Sequence, residues 1–206
     1  MSHLEAVVEN WYEADIDLEV VKTFRSRATH AFAREKDIVN VDTGEAIPYF
    51  GADEALRRAR VVLDVDGALG DRLATMIGGG QDLIVNAKTH AKIGGLRLCP
   101  TIRWIPTEIV DGKGALLAEY HWAYGFREHD VWDLGRSNCL YVDAENGPGK
   151  KFVTVLGPGV LLASVAPPYD LFRANDGGWI CTQAFKDAIE HASVTGFSFI
   201  PLSVTG

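Results

Sequence analysis

Trp179-Ile180-Cys181, then Thr182, Ala184, Phe185, Ala188, Ile189 and Ala192, then Phe197-Ser198-Phe199-Ile200-Pro201-Leu202, is the stretch that decides the fold. Its apolar residues between 184 and 192 recur at intervals of three and four, with Lys186, Asp187 and Glu190 between them, which is helical amphipathicity. Thr182 offers an N-cap hydroxyl and Gly196 ends the excursion. The Phe-Ser-Phe alternation beyond it has the period of a strand. The segment therefore predicts a buried strand, a helix and a returning strand. Tyr169-Asp170-Leu171-Phe172-Arg173 and a Gly-Gly turn lead into it.

The same order occurs earlier. Leu83-Ile84-Val85-Asn86 precedes a short segment carrying Ala87, His90, Ala91 and Ile93, and Ile102-Arg103-Trp104-Ile105-Pro106 returns. The two first strands and the two returns are separated by the same chain length to within one residue, and aromatic-Ile-Pro recurs in both returns. Proline has no backbone N–H, so each return is expected to end, or to lie at a sheet edge, near Pro106 and Pro201. Two copies are too few for a solenoid, which takes about three repeats. The expectation is an α+β fold: a mixed sheet with two pseudo-repeated strand–helix–strand units and additional antiparallel hairpins. Chance likeness of two short buried segments is the alternative.

Around these units, 20–34 reads as a helix and 37–42 as a short strand closed by Thr43-Gly44. Phe50-Gly51-Ala52-Asp53 opens a charged helical stretch through Arg60, and 61–65 is a β-branched strand. A short helix is expected around 72–76. Asp111-Gly112-Lys113-Gly114 signals a hairpin into the aromatic strand 116–124, and further strands are expected at 138–142, 152–156 and 160–163. No composition shift marks a linker, so residues 1–206 form one domain, with 1–50 its least legible part.

Composition narrows the function. A chain of 206 residues, 47% hydrophobic and 23% charged, buries a real core. Its net charge of −8 argues against nucleic acid as a direct ligand, since neutralising phosphates takes clustered Lys and Arg, but suits a basic protein partner. No apolar run approaches the roughly 20 residues of a membrane span. The opening Met-Ser-His-Leu-Glu-Ala-Val-Val-Glu lacks a basic region followed by an apolar one. The expectation is a cytoplasmic protein that does not engage a membrane, with Cys99, Cys139 and Cys181 as reduced thiols.

Several stretches imitate catalytic chemistry. Val61-Val62-Leu63-Asp64-Val65-Asp66-Gly67-Ala68-Leu69 is similar to the first motif of the haloacid dehalogenase phosphatases, in which the first Asp is a nucleophile and the second a general acid/base beside magnesium. Ala68 stands where that family has Thr, and no later strand ends in paired carboxylates. Gly78-Gly79-Gly80 precedes a strand, whereas a phosphate loop needs a helix N-terminus. His129, Asp130 and Asp133 are close enough in sequence for a metal or acid/base site, with a solvated acidic loop as the alternative. Cys139 with His121 is a pairing any chain of this composition permits. No catalytic residue, cofactor or metal site is assigned.

The segment Tyr120-His121-Trp122-Ala123-Tyr124-Gly125-Phe126 carries more information. Alternation puts Tyr120, Trp122 and Tyr124 on one face. That face is either core or a binding surface, since Trp and Tyr dominate interface hot spots. Glu128, Asp130 and Asp133 follow and would complement a basic partner. Trp122, Tyr124, Glu128, Asp130 and Asp133 are accordingly the candidate partner-binding residues.

From residue 83 to residue 202 the order of features resembles a family of bacterial immunity proteins of polymorphic toxin systems, named for a myxobacterial member. The resemblance rests on Leu-Ile-Val-Asn, Ile-Arg-Trp-Ile-Pro, Asp130-Val131-Trp132-Asp133-Leu134-Gly135-Arg136-Ser137, Tyr169-Asp170-Leu171-Phe172-Arg173, and Thr195-Gly196-Phe197-Ser198-Phe199. It makes 51–206 the immunity-like part of the domain. The resemblance implies a non-enzymatic protein that binds and neutralises a cognate toxin. It also implies structural roles for Asp133, Ser137, Asp170, Phe172, Arg173, Phe197 and Phe199. The phosphatase using Asp64 and Asp66, and an adaptor domain with another partner, are the alternatives.

Overall fold

The computed structural model describes residues 10–16, 38–45, 47, 56–62, 72–77, 80–143, 150–157 and 159–206. Two strand–helix–strand units organise them. In the first, β5 (Gly80–Asn86) ends at Asn86, whose side chain accepts the Thr89 amide at 2.9 Å and so caps α1 (Ala87–Ile93). The chain returns as β6 (Arg103–Val110) and turns into β7 (Leu116–Tyr124), which lies between β5 and β6, antiparallel to both. In the second, β13 (Trp179–Thr182) ends at Thr182, whose hydroxyl accepts the Phe185 amide and caps α2 (Gln183–His191). Here β14 (Phe197–Pro201) returns, and β1 (Trp11–Ile16) lies between β13 and β14, antiparallel to both. The inserted antiparallel strand differs in origin: β7 is the hairpin continuation of β6, whereas β1 comes from the N-terminal part of the chain.

Two larger sheets result. With β2 (Ile38–Asn40), β3 (Ala59–Val62) and β4 (Arg72–Ile77), one has six strands in the order β2-β3-β6-β7-β5-β4. With β8 (Glu128–His129) and β12 (Leu171–Ala174), the other has five in the order β14-β1-β13-β12-β8. Among the described residues, two ribbons complete the set: β9 (Cys139–Asp143) with β10 (Lys150–Val155), and β11 (Val160–Leu162) parallel to β15 (Ser203–Thr205). The architecture is α+β with mixed sheets. Among the described residues, no helix is long and apolar enough to cross a membrane.

Strand alternation sorts the side chains into three cores. Leu83 and Val85 of β5, Ala123 of β7, and Trp179 and Cys181 of β13 meet Ile93 of α1 and Phe185 and Ile189 of α2 between the two sheets. Ile84, Ile105, Tyr120, Trp122 and Tyr124 face the other way, against Leu56, Val61 and Ile109. On the far side of the five-stranded sheet, Ile180 and Phe172 pack with Trp11, Val131, Trp132 and Leu161. Among the described residues, each larger sheet therefore has buried side chains on both faces. Full burial of one such large apolar side chain stabilises by about 1.5–3 kcal/mol.

Three expectations need correction. Residues 72–76 form strand β4, because the segment pairs with β5 from Arg72–Val85 to Ile77–Gly80, and ladder pairing overrides local propensity. The described part of the stretch through Arg60 is not helical; Ala59 and Arg60 open β3. Pro201 does close an edge strand, but β6 runs past Pro106 within its sheet. Its neighbour β3 joins only from Thr107 onward, opposite Ala59, so Pro106 stands where one flank of β6 carries no ladder. Residues 20–34, and Asp64 and Asp66, lie outside the described residues.

Candidate partner-binding surface

The strand β7 ends at Gly125, whose φ of +91° suits glycine and whose added Cβ would lie 2.7 Å from the Thr101 carbonyl oxygen. The Thr101 hydroxyl donates to the Gly125 carbonyl at 2.9 Å and fixes this turn. The chain then forms β8, the edge strand that pairs in parallel with β12, Glu128 opposite Arg173 and His129 opposite Ala174. The His129 ring packs edge-on against Phe172 and Tyr169. Burial, with the charge of Arg127 second, lowers its pKa from 6.5. Glu128 and Asp130 are left exposed. Asp130 accepts the Asn175 side-chain amide at 3.0 Å, and the Asn175 backbone donates to the His129 carbonyl at 2.9 Å.

Buried Val131 and Trp132 anchor the segment that follows. The Asp133 carbonyl accepts the amides of Arg136 and Ser137 at 3.1 and 2.8 Å, closing a turn. Its carboxylate accepts the Gly135 amide and the Thr205 hydroxyl, at 3.2 and 3.3 Å. The Ser137 hydroxyl accepts the Val160 amide at 3.0 Å, and the Asp133 amide donates to the Val160 carbonyl at 2.8 Å. Asp133 and Ser137 thereby fasten the turn to β11 and β15, presenting Leu134, Gly135 and Arg136 to solvent.

Asp170 is a second staple. Its buried carboxylate accepts the Arg97 amide at 2.8 Å, the Arg97 guanidinium at 2.6 Å and the Thr182 hydroxyl at 3.0 Å. Burial alone would raise its pKa, but these donors outweigh it and hold the carboxyl below its ordinary value. Asp170 thus ties the chain after α1 to the cap of α2. Phe172 is fully buried, and the guanidinium of Arg173 lies over the Trp179 ring at 5.2 Å while donating to the Gly177 carbonyl. Phe197 and Phe199 stack on each other, and both meet Phe185 edge-on.

The remaining candidates separate. Trp122 and Tyr124 are interior, 1% and 4% exposed, packed edge-to-face at 4.9 Å. A partner cannot reach them, so the aromatic face is core and only the acidic residues stay at the surface. His129 turns to Phe172 while Asp133 turns to Thr205, so these two do not converge on one ligand. Cys139 lies in the β9–β10 ribbon and His121 in the six-stranded sheet, stacked on His90 at 4.2 Å. Sequence reasoning missed Arg97 as the partner of Asp170, because nothing local joins residues that far apart. It also missed that β9 is exposed, since Leu140-Tyr141-Val142 reads as an ordinary half-buried strand.

No curated protein matches the chain. A model of the immunity protein family (Imm11) matches residues 100–204, the span from the end of the α1 loop through β15 that contains Asp133, Ser137, Asp170, Phe172, Arg173, Phe197 and Phe199. This chain belongs to the Imm11 immunity protein family.

Proposed function

We propose that the chain acts without catalysis, in the cytoplasm, by binding a cognate protein toxin of basic character. The observation that carries this reading is the family match over 100–204. The polar residues of the motifs within it, Asp133, Ser137, Asp170 and Arg173, hold turns and caps. Exposed Glu128 and Asp130 beside them are free of such duties apart from the Asn175 contact, and the net charge of −8 favours a basic partner. Such charges speed encounter more than they add affinity, and salt screens them within about 8–10 Å.

The test is kinetic. Association of the C-terminal domain encoded by the adjacent gene is measured at two salt concentrations with the wild type and with Asp130→Lys. The wild type should associate more slowly at high salt, and Asp130→Lys should associate more slowly at low salt with its fold unchanged. Salt-independent association would place the contact elsewhere. The shared connectivity of β5-α1-β6 and β13-α2-β14 further supports descent from one duplicated unit. Backbones of the two units that cannot be superposed would reject that descent.

A further inference from the structure

The turn from Asp133 to Ser137 is fixed at both ends and open at its tip. The Asp133 amide donates to the Val160 carbonyl, its carbonyl accepts the Arg136 and Ser137 amides, and its carboxylate accepts the Gly135 amide and the Thr205 hydroxyl. At the other end the Ser137 hydroxyl accepts the Val160 amide. The three residues between them are exposed, Leu134 at 39% and the Arg136 side chain at 66%. The bond from Thr205 to Asp133 brings exposed Val204 beside the turn, and the bond from the Leu156 amide to the Asn138 carbonyl brings exposed Leu156 there.

Two residues of the tip serve no purpose inside the described fold. Gly135 does not adopt a positive φ, and the nearest described atom to an added Cβ is a carboxylate oxygen of Asp133 at 3.5 Å, an ordinary van der Waals contact. The fold therefore accepts a side chain at 135, although glycine loses more backbone freedom on folding than any other residue. What glycine provides there is room for another molecule to approach the backbone closely. Arg136 meets Asp133 at 3.7 Å, beyond hydrogen-bond distance, and that carboxylate already accepts Gly135 and Thr205. An exposed pair of this kind contributes little, and its guanidinium fork suits a second carboxylate. A second copy of this chain would bring −8 against −8, which opposes association. Arg127, Glu128 and Asp130 are exposed earlier in the same segment, so the surface carries both signs around an apolar centre. That pattern fits a protein partner with an apolar pocket and a carboxylate at its rim.

We infer that the tip Leu134-Gly135-Arg136 anchors the toxin interface: Leu134 enters an apolar pocket, the toxin closes against the backbone at Gly135, and Arg136 pairs with a carboxylate of the toxin. This rests on the toxin-binding reading and names its central contact. Because the turn is already fixed, binding orders little of it, and such preorganisation favours slow release. Glu128 and Asp130 act on encounter and the tip acts on release, so the two sets of residues change different rates.

The test uses the full chain and the C-terminal domain encoded by the adjacent gene. Association and dissociation rates and unfolding midpoints are measured for the wild type, for Gly135→Ala and for the double variant Leu134→Asn/Arg136→Gln. Gly135→Ala should keep or raise the midpoint, because its backbone suits alanine, and yet release the toxin domain about tenfold faster. The double variant should also release it about tenfold faster or more, with an association rate within about twofold of the wild type's. Release at the wild-type rate in either variant, or a lowered midpoint in Gly135→Ala, would overturn the anchor and leave toxin binding standing. A concentration-dependent homodimer abolished by the double variant would assign the tip to a second copy and overturn it too. No complex with the wild type would remove the toxin-binding reading and this anchor together.

Discussion

Replacing Asp170 with alanine tests whether the family motif around it is scaffold. The carboxylate receives the Arg97 amide, the Arg97 guanidinium and the Thr182 hydroxyl, and Thr182 is itself buried. The Arg97 side chain is 59% exposed and its guanidinium regains water when its partner goes, so the ion pair alone is worth little, about 0–1 kcal/mol. The amide and the hydroxyl lose their acceptor in a partly dry setting, at roughly 1–3 kcal/mol each. A loss of about 3 kcal/mol is expected, lowering the unfolding midpoint of a chain this size by roughly 6–12 °C. The pH dependence has a definite sign. The folded carboxyl lies below its ordinary 3.8, so its stabilisation is complete above that value and fades as pH falls through the folded pKa. Urea unfolding of both proteins at neutral pH and near pH 3 measures this, and the gap between them should narrow in acid. A gap under about 1 kcal/mol at neutral pH, or one that widens in acid, would refute the staple.

Phe185→Ala should cost about 3–5 kcal/mol, because Phe185 is fully buried between the two sheets. Phe199→Ala should cost less, about 1–3 kcal/mol, because Phe199 is only partly buried at the edge strand β14. Equal losses in urea titrations would contradict this ordering. His90 packs edge-on against Trp104 and is stacked on His121; burial first, and the charge of His121 second, lower its pKa from 6.5. The unfolded chain therefore takes up the His90 proton before the folded one does, so stability declines as pH falls below 6.5 toward the folded value. His90→Gln should flatten the stability profile between pH 7 and 5, and a profile as steep as the wild type's would reject the assignment.

What could be read from the chain follows the distance over which each signal acts. The 184–192 periodicity, the Thr182 cap and the Asp111-Gly112-Lys113-Gly114 hairpin are local, and all three elements form where the residues place them. The alternation of Tyr120, Trp122 and Tyr124 was equally plain, yet alternation alone does not say whether a face meets core or partner. Ile47 and Leu56, distant in sequence, pack with it and decide that it meets core. Helical propensity over 72–76 yielded to the β5 ladder, a non-local partner. Arg97 reaches Asp170 because α1 and the loop after it bring Arg97 beside β12, which no motif encodes. The exposure of β9 is likewise legible in no residue of β9. Among the described residues, β9 and β10 pair with each other and join neither larger sheet.

Co-expression with the C-terminal domain encoded by the adjacent gene addresses the central claim most directly. The chain should restore growth to cells making that domain, and the two should copurify as a complex whose association slows as salt rises. Cells that die despite folded chain at matching levels, with no complex recovered, would contradict the account.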